Sequence, residues 1–572
     1  MTREAGRGVA LGALVALGVA LFAAWVLRHL SYPLLWNDEA ETAMYGERIL
    51  DFGYPKVHDG PRWVYELQAP LHVGVKERFD AYIGSTWGQY YVGALGALAA
   101  RRVDDPYEKT WRLRAPFALA GLAGVLALGA LGASLFPERR RRALFALAFL
   151  LLAPLSTVLV LHLREMRHYP VVVLLVACIL WTYVRSYALG GPRRRDPARG
   201  GALACALLAG LMALLSQVFT LPYAALGATL GLDQLGLFLR ARGERRAALR
   251  RLARGLLPLA LSVLLIAPAL VFFETFRVAG ELARRVRPFH GSFGPAEHLA
   301  LLLRYLATQE LLVPALVARV AALAAARSAR DAPPDPGLAA RRRVASLLWL
   351  LVAVYVGLCA LTPFSYERYV VVLSPLLVVA FLLDAATAIE LAARRAAPGR
   401  RRAVAAAGIA AAAALVLALV PARLPALEGR WRELTVPYRG PVDFVVEAVR
   451  ARYARPETLV IATNYEPSAL AYYLGSRVTL GFACAKQEEL AIQPDVIVPR
   501  PWRRCRRALD LLAQQAPYET QRLPVANARY NNIPQLTPNP FVPELHRFET
   551  PLPAHASDAL VLLHRRAESA AR

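Results

Sequence analysis

Residues 8–43 read GVALGALVALGVALFAAWVLRHLSYPLLWNDEAETA. An unbroken apolar run ends at Leu27, and the carboxylates Asp38, Glu39 and Glu41 follow shortly after it. The run has the length of roughly 20 residues that an α-helix needs to cross a hydrocarbon core. No small-residue cleavage site stands before Trp25-Val26-Leu27-Arg28, so the run reads as an uncleaved anchor rather than a signal peptide. The three acids then sit at the membrane boundary.

Similar runs recur at about 114–136, 143–161, 170–187, 201–218, 220–239, 255–273, 310–326, 344–362, 369–391 and 403–421, which predicts about eleven crossings in all. Composition agrees: 56% of the 572 residues are hydrophobic and 19% are charged, against roughly 25% charged in ordinary globular chains. A soluble protein is excluded. The charge balance is 68 Lys+Arg against 42 Asp+Glu, a net +26, which taken alone suggests a nucleic-acid or other anionic partner. The arginines, however, gather in every second connection: Arg3 and Arg7, Arg139 to Arg142, Arg193 to Arg195, Arg240 to Arg254, Arg341 to Arg343 and Arg400 to Arg402. The positive-inside rule places those connections in the cytoplasm and accounts for the excess without nucleic acid. The expected topology is a multi-pass protein of a bacterial inner (plasma) membrane with a cytoplasmic N-terminus. Segments 28–113, 162–169, 274–309, 363–368 and everything after Pro421 lie outside.

Two regions follow, a transmembrane domain over 1–421 with a long first outer loop at 28–113, and an extracytoplasmic α/β domain over 422–572. Within the loop, 40–51 and 88–101 have helical patterning that suits short helices on the membrane surface. In the tail, ETLVIATN, PDVIVPR and DALVLLHRR read as strands and VDFVVEAVRARY, PSALAYYLG and CRRALDLLAQQ as helices. No glycine-rich phosphate loop follows the early strands. Cys178, Cys205 and Cys359 fall in apolar runs as small hydrophobes, whereas Cys484 and Cys505 in the tail either pair or stay free.

The chemistry concentrates in the outer segments. In Leu35-Trp36-Asn37-Asp38-Glu39-Ala40-Glu41-Thr42-Ala43, Asp38 or Glu39 is a candidate general base or metal ligand; the same residues also fit a helix-capping box with Asp38 at the cap and Glu41 as its partner. In His162-Leu163-Arg164-Glu165-Met166-Arg167-His168-Tyr169-Pro170, a short connection collects more ionisable groups than an exposed turn needs, which suggests a cavity lining. Thr362-Pro363-Phe364-Ser365-Tyr366-Glu367-Arg368-Tyr369 reads either as an aromatic interface belt or as a ligand contact. Arg277, Arg284, Arg285, Arg287, His290, His298 and Arg304 form a basic patch in an outer segment, where the topology rule does not expect one; it fits a lipid phosphate or ordinary anionic headgroups. In the tail, Asn464, Tyr465, Glu466 and the Tyr472-Tyr473 pair are candidate acceptor contacts or plain core residues.

These residues carry a family resemblance. LWNDEAETA at 35–43 resembles the Asp-Glu-Ala motif, HLREMRHYPVVVLL at 162–175 is similar to the Glu-x-Arg-x-Tyr motif, and ERYVVVLSPLLVV at 367–379 looks like the Arg-Tyr helix of the GT-C membrane glycosyltransferases that use polyprenyl-phosphate sugars. That superfamily includes the protein O-mannosyltransferases and aminoarabinose transferases. The family's Pro-Pro-Leu-Tyr element is echoed only by Gln68-Ala69-Pro70-Leu71-His72, and the second loop lacks the mannosyltransferases' aspartate.

The resemblance implies inverting sugar transfer on the outer face to a lipid, glycan or protein acceptor. Asp38, Glu39 and Glu165 would be catalytic or orienting; Arg167, His168, Tyr169, Arg368, Tyr369 and Arg277 would bind the donor. A divalent metal is possible and not required. The alternatives are a transporter or lipid flippase, in which the same groups would line a path at mid-membrane depth, and a non-catalytic scaffold or sensor.

Overall fold

The apolar runs fold as helices. In the computed structural model, which describes residues 3–58, 74–189, 197–241, 245–290, 294–328, 335–362, 366–480, 491–501, 505–527, 552 and 556–566, each of the eleven runs is helical over most of its length. Among the described residues, seven helices are long and apolar enough to cross a membrane, or eight when Pro295–Gln309 and Leu312–Arg327, bent by 86°, count as one broken span. Two of the others fall short for visible reasons. The run at 143–161 is interrupted by a 3-10 turn at Ala153–Leu155, which contains Pro154, and continues as the short helix Thr157–His162. The run at 403–421 yields a 17-residue helix, Arg401–Leu417, about 26 Å at 1.5 Å per residue.

The helices Pro106–Ala133 and His168–Tyr183 pack against each other through glycine. A Cβ on Gly124 would stand 2.5 Å from the backbone nitrogen of Leu174, so only glycine permits this approach. The crossing of Asn37–Phe52 over Gly88–Ala100 depends on the same device, because a Cβ on Gly46 would lie 2.8 Å from the Gly93 carbonyl carbon.

Charged pairs tie the far ends of the helices. Glu390, near the C-terminus of Leu373–Arg395, accepts from Arg341 at 2.7 Å and Arg141 at 3.0 Å. Midway along the same helix, the fully buried Asp384 accepts from Arg319 at 3.2 Å and from the Trp349 indole at 2.9 Å.

The first loop contains a hairpin, β1 (Val75–Lys76) and β2 (Ala81–Tyr82). Residues 59–73, which include Gln68 to His72, lie outside the described residues. The tail forms a five-stranded sheet in the order β4-β3-β5-β7-β6, with β3 Val460–Thr463, β4 Arg477–Leu480, β5 Val496–Val498, β6 Tyr518–Ala526 and β7 Ala559–Arg565. β3 runs parallel to β4 and β5, pairing Ile461 with Val478 and Val496, while β7 is antiparallel to β5 and β6. Helices Pro441–Arg452, Pro467–Leu474 and Arg506–Gln514 complete the α/β unit. Ile461, Val478, Val496 and Ile497 of the sheet are buried. Cys505 is disulfide-bonded, Cys178, Cys205 and Cys359 are free, and Cys484 lies outside the described residues.

Candidate active site

The helix Asn37–Phe52 begins one residue before Asp38, with Trp36 at the cap position. Adjacent residues on a helix point about 100° apart, so Asp38 and Glu39 necessarily face different surroundings.

Glu39 faces inward and is fully buried. Its oxygens accept from Arg114 Nε at 2.8 Å and Nη2 at 2.5 Å, from the Met166 amide at 2.8 Å and from the Trp36 amide at 3.4 Å. The reach back to Trp36 makes Glu39, and not Glu41, the capping-box acid. Glu41 instead accepts from the Tyr90 hydroxyl at 3.0 Å. Arg114 also donates to the carbonyls of Leu30 at 3.1 Å and Pro33 at 2.7 Å. Glu39, expected to take part in catalysis, is engaged in a buried bidentate pair with Arg114.

Asp38 faces the other way and keeps 27% of its side chain exposed. Arg167 Nη2 lies 3.5 Å from its Oδ2 and Arg368 Nη2 lies 3.9 Å from the same oxygen. Arg167, at the cap of His168–Tyr183, is also anchored on the Asp38 carbonyl at 3.1 Å and on the Thr42 hydroxyl at 3.3 Å. Arg368, on the 3-10 turn Glu367–Val370, lies over the rings of Tyr366 at 4.3 Å and Trp36 at 5.4 Å. Three sequence segments thus meet at one carboxylate flanked by two guanidiniums with aromatic walls.

Glu165 does not reach Asp38's side of this group. It lies 2.9 Å from His162 Nδ1, and His162 Nε2 lies 3.6 Å from Glu367. All three side chains are buried. Burial by itself pushes the His162 pKa down, but Glu165 and then Glu367 outweigh it and hold the ring above its ordinary value. His162, set between the two carboxylates, joins the segment that carries Arg167 to the turn that carries Arg368.

His168 is buried, with Nδ1 3.3 Å from Gln89 Oε1 and its ring 4.3 Å from that of Phe219. Tyr169 stacks obliquely on it at 4.1 Å, and Tyr369 packs 5.7 Å from Phe219. These aromatic residues pack together around Phe219. Arg277 is not brought to it. On the helix Thr275–His290, Arg277 is half exposed and pairs with Glu274 at 2.5 Å and Glu281 at 3.2 Å, so its charge is met locally. Arg114 and Gln89 were not singled out from sequence; each is a polar residue in or beside an apolar run whose partner lies far along the chain.

Among the described residues, no three His, Cys, Asp or Glu side chains gather as a metal would require.

No family model and no curated protein sequence matches the chain. Solved structures do match. The archaeal oligosaccharyltransferase AglB from Archaeoglobus fulgidus, in complex with an inhibitory peptide and a dolichol-phosphate, aligns over 88% of this chain and 71% of its own at 11% identity with a TM-score of 0.52. The chain has a GT-C fold. ArnT from Cupriavidus metallidurans, both apo and bound to undecaprenyl phosphate, aligns over 98% of both chains at 15% identity with a TM-score of 0.49.

Proposed function

We propose that the chain is an inverting glycosyltransferase that moves a sugar from a polyprenyl-phosphate donor to an acceptor hydroxyl on the outer face of the membrane. The observation that carries the reading is the approach of Arg167 and Arg368, from segments far apart in sequence, to the carboxylate of Asp38. The fold is shared with an oligosaccharyltransferase solved with a dolichol-phosphate, and a lipid-linked donor suits a site reached through the membrane.

In this reading the donor phosphate binds the two guanidiniums, a pairing that fixed forks favour. Its negative charge draws them from Asp38 and leaves the carboxylate to the acceptor. Asp38 takes the acceptor's hydroxyl proton as that oxygen bonds to the anomeric carbon. The bond from that carbon to the phosphate oxygen breaks on the opposite side, and the polyprenyl phosphate leaves with the electron pair. Arg167 and Arg368 hold the charge that develops there.

Asp38→Asn keeps the shape and loses the proton acceptor. In membranes with matched expression, assayed with undecaprenyl-phosphate hexoses and pentoses, its turnover should fall roughly 10²- to 10⁴-fold. Near wild-type turnover would sink the assignment.

A further inference from the structure

We infer that the C-terminal α/β domain is a positioning element of the site: it fixes the segment Leu34–Asn37 that presents Asp38, so the site is complete only when the domain is docked. The inference rests on the reading of Asp38 as the proton acceptor.

The contacts fall on the residues immediately before that carboxylate. The Leu34 amide donates to Asp443 Oδ1 at 3.2 Å, and the Leu35 amide donates to the Tyr473 hydroxyl at 3.0 Å. The Ser468 amide, at the start of Pro467–Leu474, donates to Asn37 Oδ1 at 3.1 Å, and the Asn37 amide nitrogen reaches Asp38 Oδ1 at 3.5 Å. One side-chain amide therefore touches the domain with its oxygen and the reactive carboxylate with its nitrogen. Asp443, Ser468 and Tyr473 are all buried.

Leu34 and Leu35 are buried as well and belong to no helix or strand. Amides in that position need a partner from elsewhere, and the domain supplies it. The domain's anchors are themselves held. The Tyr473 hydroxyl lies 2.6 Å from Thr110 Oγ1, Asp443 Oδ2 accepts from the Gly440 amide at 2.9 Å, and Tyr472 donates to Glu47 at 3.0 Å. From the opposite side Arg114 grips the carbonyls of Leu30 and Pro33 and the carboxylate of Glu39. The Asp38 segment is thus clamped between the helix Pro106–Ala133 and the tail. A domain that served only to bind acceptor would not need its hydrogen bonds here.

The test uses the full-length protein carrying Tyr473→Phe or Asn37→Ala, with undecaprenyl-phosphate hexoses and pentoses as donors and a membrane lipid extract as acceptor. A misplacement of about 1 Å can cost on the order of 10²-fold in rate. Turnover at saturating donor should therefore fall roughly 10- to 100-fold, with the half-saturating donor concentration unchanged. Hydrogen exchange read by mass spectrometry should quicken over 34–39 and stay slow in β3 and β5. Loosened exchange with wild-type turnover overturns the inference, as does a loss confined to donor affinity. If Asp38→Asn is inactive while both variants turn over normally, the inference falls and the function stands. If wild type transfers none of the sugars, the function proposal falls, and exchange alone decides: unchanged protection of 34–39 in both variants overturns the inference.

Discussion

Substituting Glu39→Gln separates the two acids of the motif. The change removes one charge and almost no volume, and it leaves the Arg114 guanidinium buried at 4% side-chain exposure opposite a neutral amide. Gln offers a single oxygen where the carboxylate serves four donors: two from Arg114, the Met166 amide and the Trp36 amide. Removing one partner of a buried ion pair costs about 3–5 kcal/mol, which corresponds to roughly 10²- to 10⁴-fold in the equilibrium for local opening. Because Met166 donates directly to Glu39, its amide reports the opening. Hydrogen exchange at Met166 in detergent-solubilised protein should accelerate by that factor, and the protein should melt earlier. Replacing both partners, as in Glu39→Leu with Arg114→Leu, should recover most of the melting loss, since no charge is then left unpaired. The reasoning is refuted if Glu39→Gln melts like wild type and protects Met166 equally while losing turnover, because Glu39 would then act on substrate.

Arg368→Lys keeps the charge but loses the planar fork stacked on Tyr366 and Trp36. It should raise the half-saturating concentration of undecaprenyl phosphate roughly 10-fold, about the 1.4 kcal/mol of one lost charge-assisted bond, and quenching of Trp36 fluorescence would follow it. An unchanged titration counts against the phosphate role. Burial pushes the Asp443 carboxyl up to about 6. Its proton is then held in the folded state between about pH 4, where the unfolded group loses it, and pH 6. Stability from this group is complete below that window and lost as pH rises through it. Melting measured across pH 4 to 7 should decline for this reason, and Asp443→Asn, which keeps an oxygen for the Leu34 amide, should flatten the decline.

The motifs were readable because each is a short run of polar residues beside an apolar one; Asp38, Arg167 and Arg368 meet, whereas Glu165, expected to converge with them, pairs with His162. The division of labour between Asp38 and Glu39 was also within reach, since neighbours on a helix diverge by about 100°. What sequence did not carry was Arg114, 75 residues from Glu39, which reads locally as a basic residue at the mouth of an apolar run. Arg277 has local partners that its spacing already announced: Glu274 and Glu281 stand three before and four after it, the spacing at which helical charges pair. In the tail, β4 is only four residues long, and β6 is largely polar with Pro524 inside it and lacks the alternation that marks a half-buried strand. The two tyrosines at 472 and 473 were legible as an aromatic pair, but only docking shows that they grip Glu47 and Leu35.

The pair in the middle of the helix Leu373–Arg395 bears on biosynthesis. An aspartate near the centre of an inserting helix costs about 2.5–3.5 kcal/mol, and Asp384 is such a residue. Its two donors, Arg319 and Trp349, precede it by 65 and 35 positions. A ribosome therefore delivers the cation and the indole into the bilayer before the acid leaves the exit tunnel. The acid at the middle of that helix arrives after its counter-ion, and the order of the codons becomes part of how the bundle is assembled.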